Sequence, residues 1–421
     1  MRTTLPLRHA VWSLFALMLS ACAGLNPPQL QPEAAREASQ AAVWESLERV
    51  RGDAWTVLLN DGPRALDLRL TAIDSATESI DLQTFLWEFD IAGSMIMSHL
   101  LAAAERGVRV RFLIDDSLLL GKDDVLLELH RHPNFSYRVF NPYGRRSSSI
   151  VARELLNIGE FKRLDHRMHN KAMVVDGRLA IVGGRNLADE YFGLHAEYNF
   201  RDLELLVGGL VVRDISLAFD QYWNSRWSVP VERVTHLSHR HIALDQFLHV
   251  AEQNRHLHTE RPPQQRENAW LELAASAHGS VAALLTDEPP DADPAAAESA
   301  PVQMAEALIA LFDSAREEII IASAYLIPTR ELEEAVRRAV KRGIEVRILT
   351  NSIRSNNHLS AHGAYRNHIG TLLAYGAELH EVRVDARDRH IYMLPPTERK
   401  TLALHAKALV IDHDRVFIGS A

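Results

Sequence analysis

The sequence predicts an α/β protein built as two tandem sandwich domains related by a pseudo-twofold axis, the second incomplete at its C-terminus. Three observations lead there. "IDSATESIDL" (73–82) matches "FDSAREEIII" (312–321), and "ERGVRVRFL" (105–113) matches "KRGIEVRIL" (341–349), at offsets of 239 and 236. Matches in the same order at nearly constant offset mark two copies of one folded unit. Each copy also alternates β-branched runs with helical spacing. The third observation is that "RMHNKAMVVDGRLAIVGGRNL" (167–187) is echoed by "LHAKALVIDHDRVFIGSA" (404–421), with 236 positions between His169 and His405.

Taken in order, the first copy reads as a strand at Ser79–Leu86, a helix at Ala92–Arg106 and a strand at Val108–Ile114. The second repeats this at Ile319–Ala324, Glu331–Arg342 and Ile344–Leu349. Phe219, Trp223 and Trp227 stand four apart, a helix-core spacing that implies packing. The N-terminus has Arg2 and Arg8 ahead of an apolar run from Ala10 to Leu19, shorter than a bilayer requires, which is the layout of a signal peptide (1–21). Leu19-Ser20-Ala21-Cys22 has the form of a lipobox, and Cys22 is the single cysteine, so acylation of Cys22 is expected and an intrachain disulfide is excluded. A Pro/Gln/Ala-rich tether (22–42) then leads to a first domain (43–234). An irregular and linker segment (235–301), ending in "TDEPPDADPAAAESAP", precedes the second domain (302–421). The chain stops one residue before the position matching Asn186, so a fragment of a longer protein is expected.

With 421 residues, 47% of them hydrophobic, and a net charge of −9, the chain can bury two cores and is not expected to hold nucleic acid through a basic surface. Lysine is scarce. Of six in the chain, two sit in the repeated motif. That motif is H-x-K-x₄-D followed by small residues: His169, Lys171, Asp176, Gly183, Gly184 and Asn186, then His405, Lys407, Asp412, Gly419 and Ser420. By chance one copy should occur on the order of 0.02 times in such a sequence. On a strand, residues two apart share a face, so each His and Lys point together, while the Asp at odd separation points away and suits a structural pairing with backbone or a basic group.

A phosphodiester is anionic and resists attack. A site for it must neutralise the nonbridging oxygens, supply a nucleophile and protonate the leaving oxygen. Two facing motifs provide all three: one imidazole attacks, the other acts as general acid, and the Lys pair with Asn186 clamps the phosphate. No cofactor is needed, and a metal is disfavoured because each His has a cation beside it. An aimed, neutral imidazole needs a carboxylate on its other ring nitrogen; Asp202 is the candidate, with Glu197 as alternative. Gln83, Tyr325 and His362 near strand ends are weaker candidates for substrate contact, with Ser420 at the second motif.

This constellation resembles the phospholipase D superfamily, and "VGGRNLADEYFG", "SAYLIPTR", "ILTNS" and "AHGAYR" are most similar to bacterial cardiolipin synthases of the C type. The resemblance implies that His169 forms a phosphohistidine, that His405 protonates the leaving alcohol and that Asp202 orients His169. It further implies phosphatidylglycerol and a second phospholipid as substrates of a phosphatidyltransferase. Hydrolysis by water, as in a phospholipase D, uses the same intermediate. A periplasmic nuclease or an inactive lipid-binding lipoprotein are the remaining readings. The sequence leaves outer and inner membrane open.

Overall fold

The computed structural model describes residues 30–51, 54–147, 149–234, 244–289, 303–385, 387 and 400–419. Cys22, Ser420 and most of the segment 286–301 lie outside them. In the first half, β1 (Ala54–Leu59), β2 (Ser79–Thr84), β3 (Arg109–Asp115), β4 (Phe135–Phe140), β5 (Ala172–Val175) and β6 (Leu179–Gly183) are followed by β7 (Tyr198–Arg201), β8 (Glu204–Gly209), β9 (Ser228–Pro230) and a short β10 (His278–Gly279). Nine of these make one sheet in the order β10-β1-β8-β6-β5-β2-β3-β4-β9. The second half has β11 (Glu318–Ser323), β12 (Glu345–Asn351), β13 (Glu378–Val382), β14 (Thr401–Leu404), β15 (Lys407–Ile411) and β16 (Arg415–Ile418). Its sheet runs β13-β12-β11-β15-β16, which repeats the order β4-β3-β2-β5-β6 of the first. Both halves combine parallel pairs from strand–helix–strand crossovers with an antiparallel strand, β5 or β15, that begins at or just after the motif lysine.

Local chemistry sets the helices. Asp61, Asp90 and Thr329 cap the starts of Gly62–Ser75, Ile91–Glu105 and Arg330–Lys341 by accepting from backbone N–H groups of their first turns. One face of the large sheet, with Ile80, Leu82, Val110 and Phe112, packs on the first two of these helices. The other face, with Val174, Ala180 and Val207, packs on the helix Val211–Trp223. Phe219, Trp223 and Trp227 form a buried cluster with Leu113, Phe140 and Met168.

Two parts of the sequence reading need amendment. The expected tether is not free throughout: from Glu33 it lies against the first half, where Ala35 N–H reaches Asp220, Glu33 pairs with Arg138, and Ser39 is buried. The connecting segment contains the helices Leu244–Gln253 and Pro263–Ser276, which bury Phe247 and Trp270 in the first core.

The halves are joined by a separate parallel ribbon in which β14 pairs with β7, Thr401 opposite Tyr198 and Leu404 opposite Arg201. This ribbon fixes the position of the second motif. His405 and Ala406 both donate their backbone N–H to the carbonyl of Arg201, at 2.8 and 3.1 Å.

Candidate active site

The residue after Arg201 is Asp202, so the ribbon sets its carboxylate beside His405. Nδ1 of His405 lies 2.6 Å from Oδ2 of Asp202, and both are buried. This corrects the expectation that Asp202 orients His169: the first half supplies the carboxylate for the second half's histidine. Glu197, the alternative, is exposed on the far end of β7.

The two motifs share local geometry. Lys171 donates through Nζ to the carbonyl of His169 at 2.7 Å, and Lys407 to that of His405 at 2.8 Å. Lys407 Nζ also stands 3.3 Å from the His405 ring nitrogens. The halves meet electrostatically here. Burial, reinforced by Lys407 and opposed by Asp202, holds Lys171 well below the ordinary lysine range. Burial takes Lys407 down to about 8, with Asp202 again opposing. His405 is pushed down by burial, with Asp202 opposing and the two lysines adding to the fall. Burial would raise Asp202, but His405, Lys407 and Arg185 together hold it below the usual carboxylate range. Burial disfavours the charged forms of both lysines against Asp202 and, at Lys171, Asp115; an arriving anion would favour them.

Aromatic rings wall this pocket. Phe85 lies 4.8 Å from the ring of His169, with Lys171 Nζ 5.3 Å from its centroid. Tyr191 and Phe200 each lie 5.0 Å from His405, and Tyr325 lies 6.1 Å from it. Tyr325 also donates to Asn357 and contacts His358. Asn186 is buried in the first half, donating to the hydroxyl of Tyr191 at 2.7 Å while its Oδ1 accepts from Leu86 N–H. One amide hydrogen is therefore committed to Tyr191, and the other is what Asn186 can offer a phosphate.

Asp176 and Asp412, the motif aspartates expected to pair with backbone or a basic group, both bind backbone N–H groups away from the motif histidines. Asp176 sits at the opposite end of β5, where it accepts from the N–H groups of Thr77, Glu78 and Ser79, the Thr77 hydroxyl and the Trp44 indole. Asp412 accepts from the N–H groups of Arg316, Glu317 and Glu318 in the same way. Each carboxylate caps the entrance to a central strand, and neither reaches the pocket. Gln83 is buried within β2 opposite Ala172 of the first motif, and His362 is buried on the helix Leu359–Tyr375 against Tyr365.

Three functional supports were missed. Asp115 and Asn351, at the ends of β3 and β12, are also 236 positions apart. Asp115 accepts from the N–H of Met168 at 2.9 Å, and Asn351 from the N–H of Leu404 at 2.8 Å, so each holds the residue just before a motif histidine. The constant offset was the signal that could have found them. Arg185 is buried and donates to the backbone carbonyls of Leu59, Tyr191 and Asp202, fixing the peptide that carries the carboxylate. Its neighbour Gly184 is required by space: a Cβ there would lie 2.1 Å from Oδ1 of Asp202.

The one His/Asp cluster with metal-like spacing among the described residues, Asp74, His99 and His258, is made by two helices and the connecting segment, with ligand atoms within 4.8 Å of one another. Both ring nitrogens of His258 and Nδ1 of His99 face carboxylates. His258 faces Asp67 at 2.7 Å and Asp74 at 3.2 Å, and His99 faces Asp74 at 2.6 Å.

Comparison with known proteins places this architecture. The family described as "Cardiolipin synthase, PLD-like domain" matches residues 70–223 and 308–421. Cardiolipin synthase C of Escherichia coli is 34% identical over 362 residues, 85% of this chain and 75% of that protein. The major cardiolipin synthase ClsA of Bacillus subtilis is 26% identical over 86% of this chain and 61% of its own length. Among solved structures, phosphatidylserine synthase of Haemophilus influenzae superposes with a TM-score of 0.52 at 12% identity, covering 88% of this chain and 81% of that one, a likeness of fold.

Proposed function

The chain belongs to the cardiolipin synthase family of phospholipase D-like domains, and on that footing we propose that it is a phosphatidyltransferase that forms cardiolipin-type lipids through a phosphohistidine. The observation that carries this reading is the meeting of Lys171 and Lys407 with the Asp202–His405 pair in one buried pocket between the halves.

The carboxylate partner assigns the roles. An imidazole held at Nδ1 by an ionised carboxylate keeps its tautomer and orientation and stabilises the imidazolium that forms when Nε2 takes a proton, which is the acid–base role of such a pair. In this reading His405 is the acid and base, and His169 the nucleophile. In the first step His169 attacks phosphorus, the bond to the leaving alcohol oxygen breaks, and His405 gives that oxygen its proton. In the second step the hydroxyl of an acceptor lipid gives its proton to His405 and its oxygen attacks phosphorus, releasing His169. The two ammonium groups hold the nonbridging oxygens throughout, and the anion relieves the repulsion between them. Phosphatidylglycerol and a second phospholipid are the proposed substrates. Acylation at Cys22 is the proposed anchor on the exported side of a membrane; the mass of the mature N-terminus, read against a Cys22→Ala variant, tests it.

The function is tested with labelled phosphatidylglycerol, with and without a second phospholipid, products being identified by mass. A doubly phosphatidylated glycerol product supports transfer, and phosphatidic acid alone would show that water is the acceptor. Trapping with an activated phosphodiester and an alkaline quench tests the roles. His405→Asn should still label when the leaving group is good, and His169→Asn should not. Label on His405 in the His169→Asn protein at wild-type amount would reverse the assignment.

A further inference from the structure

The two walls of the pocket share one plan and differ in chemistry. Each motif lysine faces one aromatic ring that follows a central strand: Lys171 Nζ lies 5.3 Å from the centroid of Phe85, just past β2, and Lys407 Nζ lies 5.8 Å from that of Tyr325, just past β11. The ring beside His169 is hydrocarbon, whereas the equivalent ring beside His405 carries a hydroxyl. That hydroxyl donates to Oδ1 of Asn357 at 2.7 Å. Burial holds the phenol up at about 12, so it stays protonated. Tyr191, the other phenol at His405, is instead paired with Asn186 of the first half.

Asn357 is presented by a turn that begins at Asn351, whose side chain binds both backbone groups of Leu404, the residue before His405. Within the turn Ser352 and Ser355 bond to each other, and Asn356 accepts from the N–H of His358, whose ring lies 5.4 Å from Tyr325. The loop that fixes His405 therefore also sets Asn357 against Tyr325. Asn357 is exposed, and among the described residues its Nδ2 has no acceptor. An amide donor and the lone pairs of a phenol oxygen stand side by side here. Together they complement one alcohol hydroxyl, which accepts one hydrogen bond and donates another.

We propose that Tyr325 and Asn357 form an alcohol subsite that recognises a second, unreacted hydroxyl on the lipid headgroup; this rests on the phosphatidyl-transfer reading above. Entering and leaving atoms lie on opposite sides of phosphorus in an in-line displacement. With His169 attacking, the alcohol leaves on the side of His405, where the Tyr325 ring stands 6.1 Å from the imidazole. The acceptor alcohol enters by the same path reversed. A polyol headgroup such as glycerol keeps a hydroxyl next to the one that reacts; Asn357 Nδ2 donates to its oxygen and Tyr325 Oη accepts its hydrogen. A simple alcohol displaces water from both groups and leaves them unpaired, which is how a hydrogen-bonding site rejects an analogue lacking the hydroxyl.

The test is a competition in mixed micelles between equal amounts of phosphatidylglycerol and phosphatidylpropanol, their headgroups carrying different labels, with the full-length protein. The initial ratio of released glycerol to released propanol gives the ratio of kcat/KM for the two donors, whatever the acceptor. Wild type should favour phosphatidylglycerol at least about tenfold, and Tyr325→Phe and Asn357→Ala should each bring the ratio to within about threefold of unity. Tyr325→Phe keeps the ring against Lys407 and His358, and Asn357 is exposed, so neither change removes packing. A wild-type ratio near unity, or a wild-type ratio retained in either variant, overturns the subsite, and a fall in both releases together at constant ratio would leave the pair a merely structural role. Release of neither alcohol by wild type would instead overturn the phosphatidyl-transfer reading, and the subsite with it.

Discussion

The carboxylate of Asp202 occupies the space that a side chain on Gly184 would fill, with Oδ1 2.1 Å from where a Cβ would stand. The glycine after β6 is therefore part of how His405 is aimed. Gly184→Ala should push Asp202 off Nδ1 of His405 and reduce turnover about 100-fold or more, in the direction of Asp202→Asn, which keeps the shape and removes the charge. Combining the two should cost little beyond either alone, because both act through one contact. Steady-state kinetics on the three variants checks this; fully multiplicative losses would place Gly184 outside the Asp202–His405 unit.

Lys407 sets an alkaline limit on substrate capture. Burial brings it down to about 8, opposed by Asp202, so it is charged below that value and neutral above it, with His405 beside it. The Michaelis constant should rise as pH passes through 8, and Lys407→Met should be weak at every pH and lose that dependence. A pH profile unchanged in Lys407→Met would assign the limb to another group.

Asp176 should act on stability and leave chemistry alone. It holds three consecutive backbone N–H groups, a hydroxyl and the Trp44 indole in a fully buried position. Asp176→Ala orphans these donors and should destabilise the first half by about 3 kcal/mol. Urea unfolding followed by tryptophan emission measures the loss, and activity per folded molecule below the transition should stay near wild type.

His258 staples the connecting segment to the helix Gly62–Ser75. Burial alone would lower it, but its bonds to Asp67 and Asp74 carry it from the ordinary 6.5 up to about 9. A folded-state value raised above the unfolded one means the contribution is complete below pH 6.5 and is lost as pH rises through 9. The melting temperature of wild type should fall over that interval. His258→Gln should melt lower at neutral pH by several degrees and show a flatter profile.

The two-copy fold was legible because β2, β3 and β5 repeat in β11, β12 and β15 with the spacing of their residues kept. Asp176 is separated from His169 and Lys171 by the length of β5 and not by strand parity, since all three lie outside Ala172–Val175. The partner of Asp202 was not legible. Asp202 follows His169 by 33 positions and precedes His405 by 203, and proximity in sequence favours the wrong histidine. Only the pairing of Leu404 with Arg201 reverses that preference, and parallel pairing between distant strands leaves no local pattern. The helices Leu244–Gln253 and Pro263–Ser276 were not legible: they lie in and beside a stretch rich in His, Arg and Gln, and only Phe247, Ala251, Trp270 and Ala274 of them are buried. Cooperation of the residues was encoded at long range, where periodicity is silent.

The ribbon of β7 and β14 also has a bearing on biosynthesis. As the chain is made from its N-terminus, the strand that will receive β14 and the carboxylate beside it are complete some two hundred residues before His405 emerges. A nascent first half holds His169 and Lys171 without the imidazole that must protonate a leaving alcohol. On the proposed roles, the nascent first half would lack its acid until Thr401–Leu404 pairs with β7, so topology itself would serve as the safety catch.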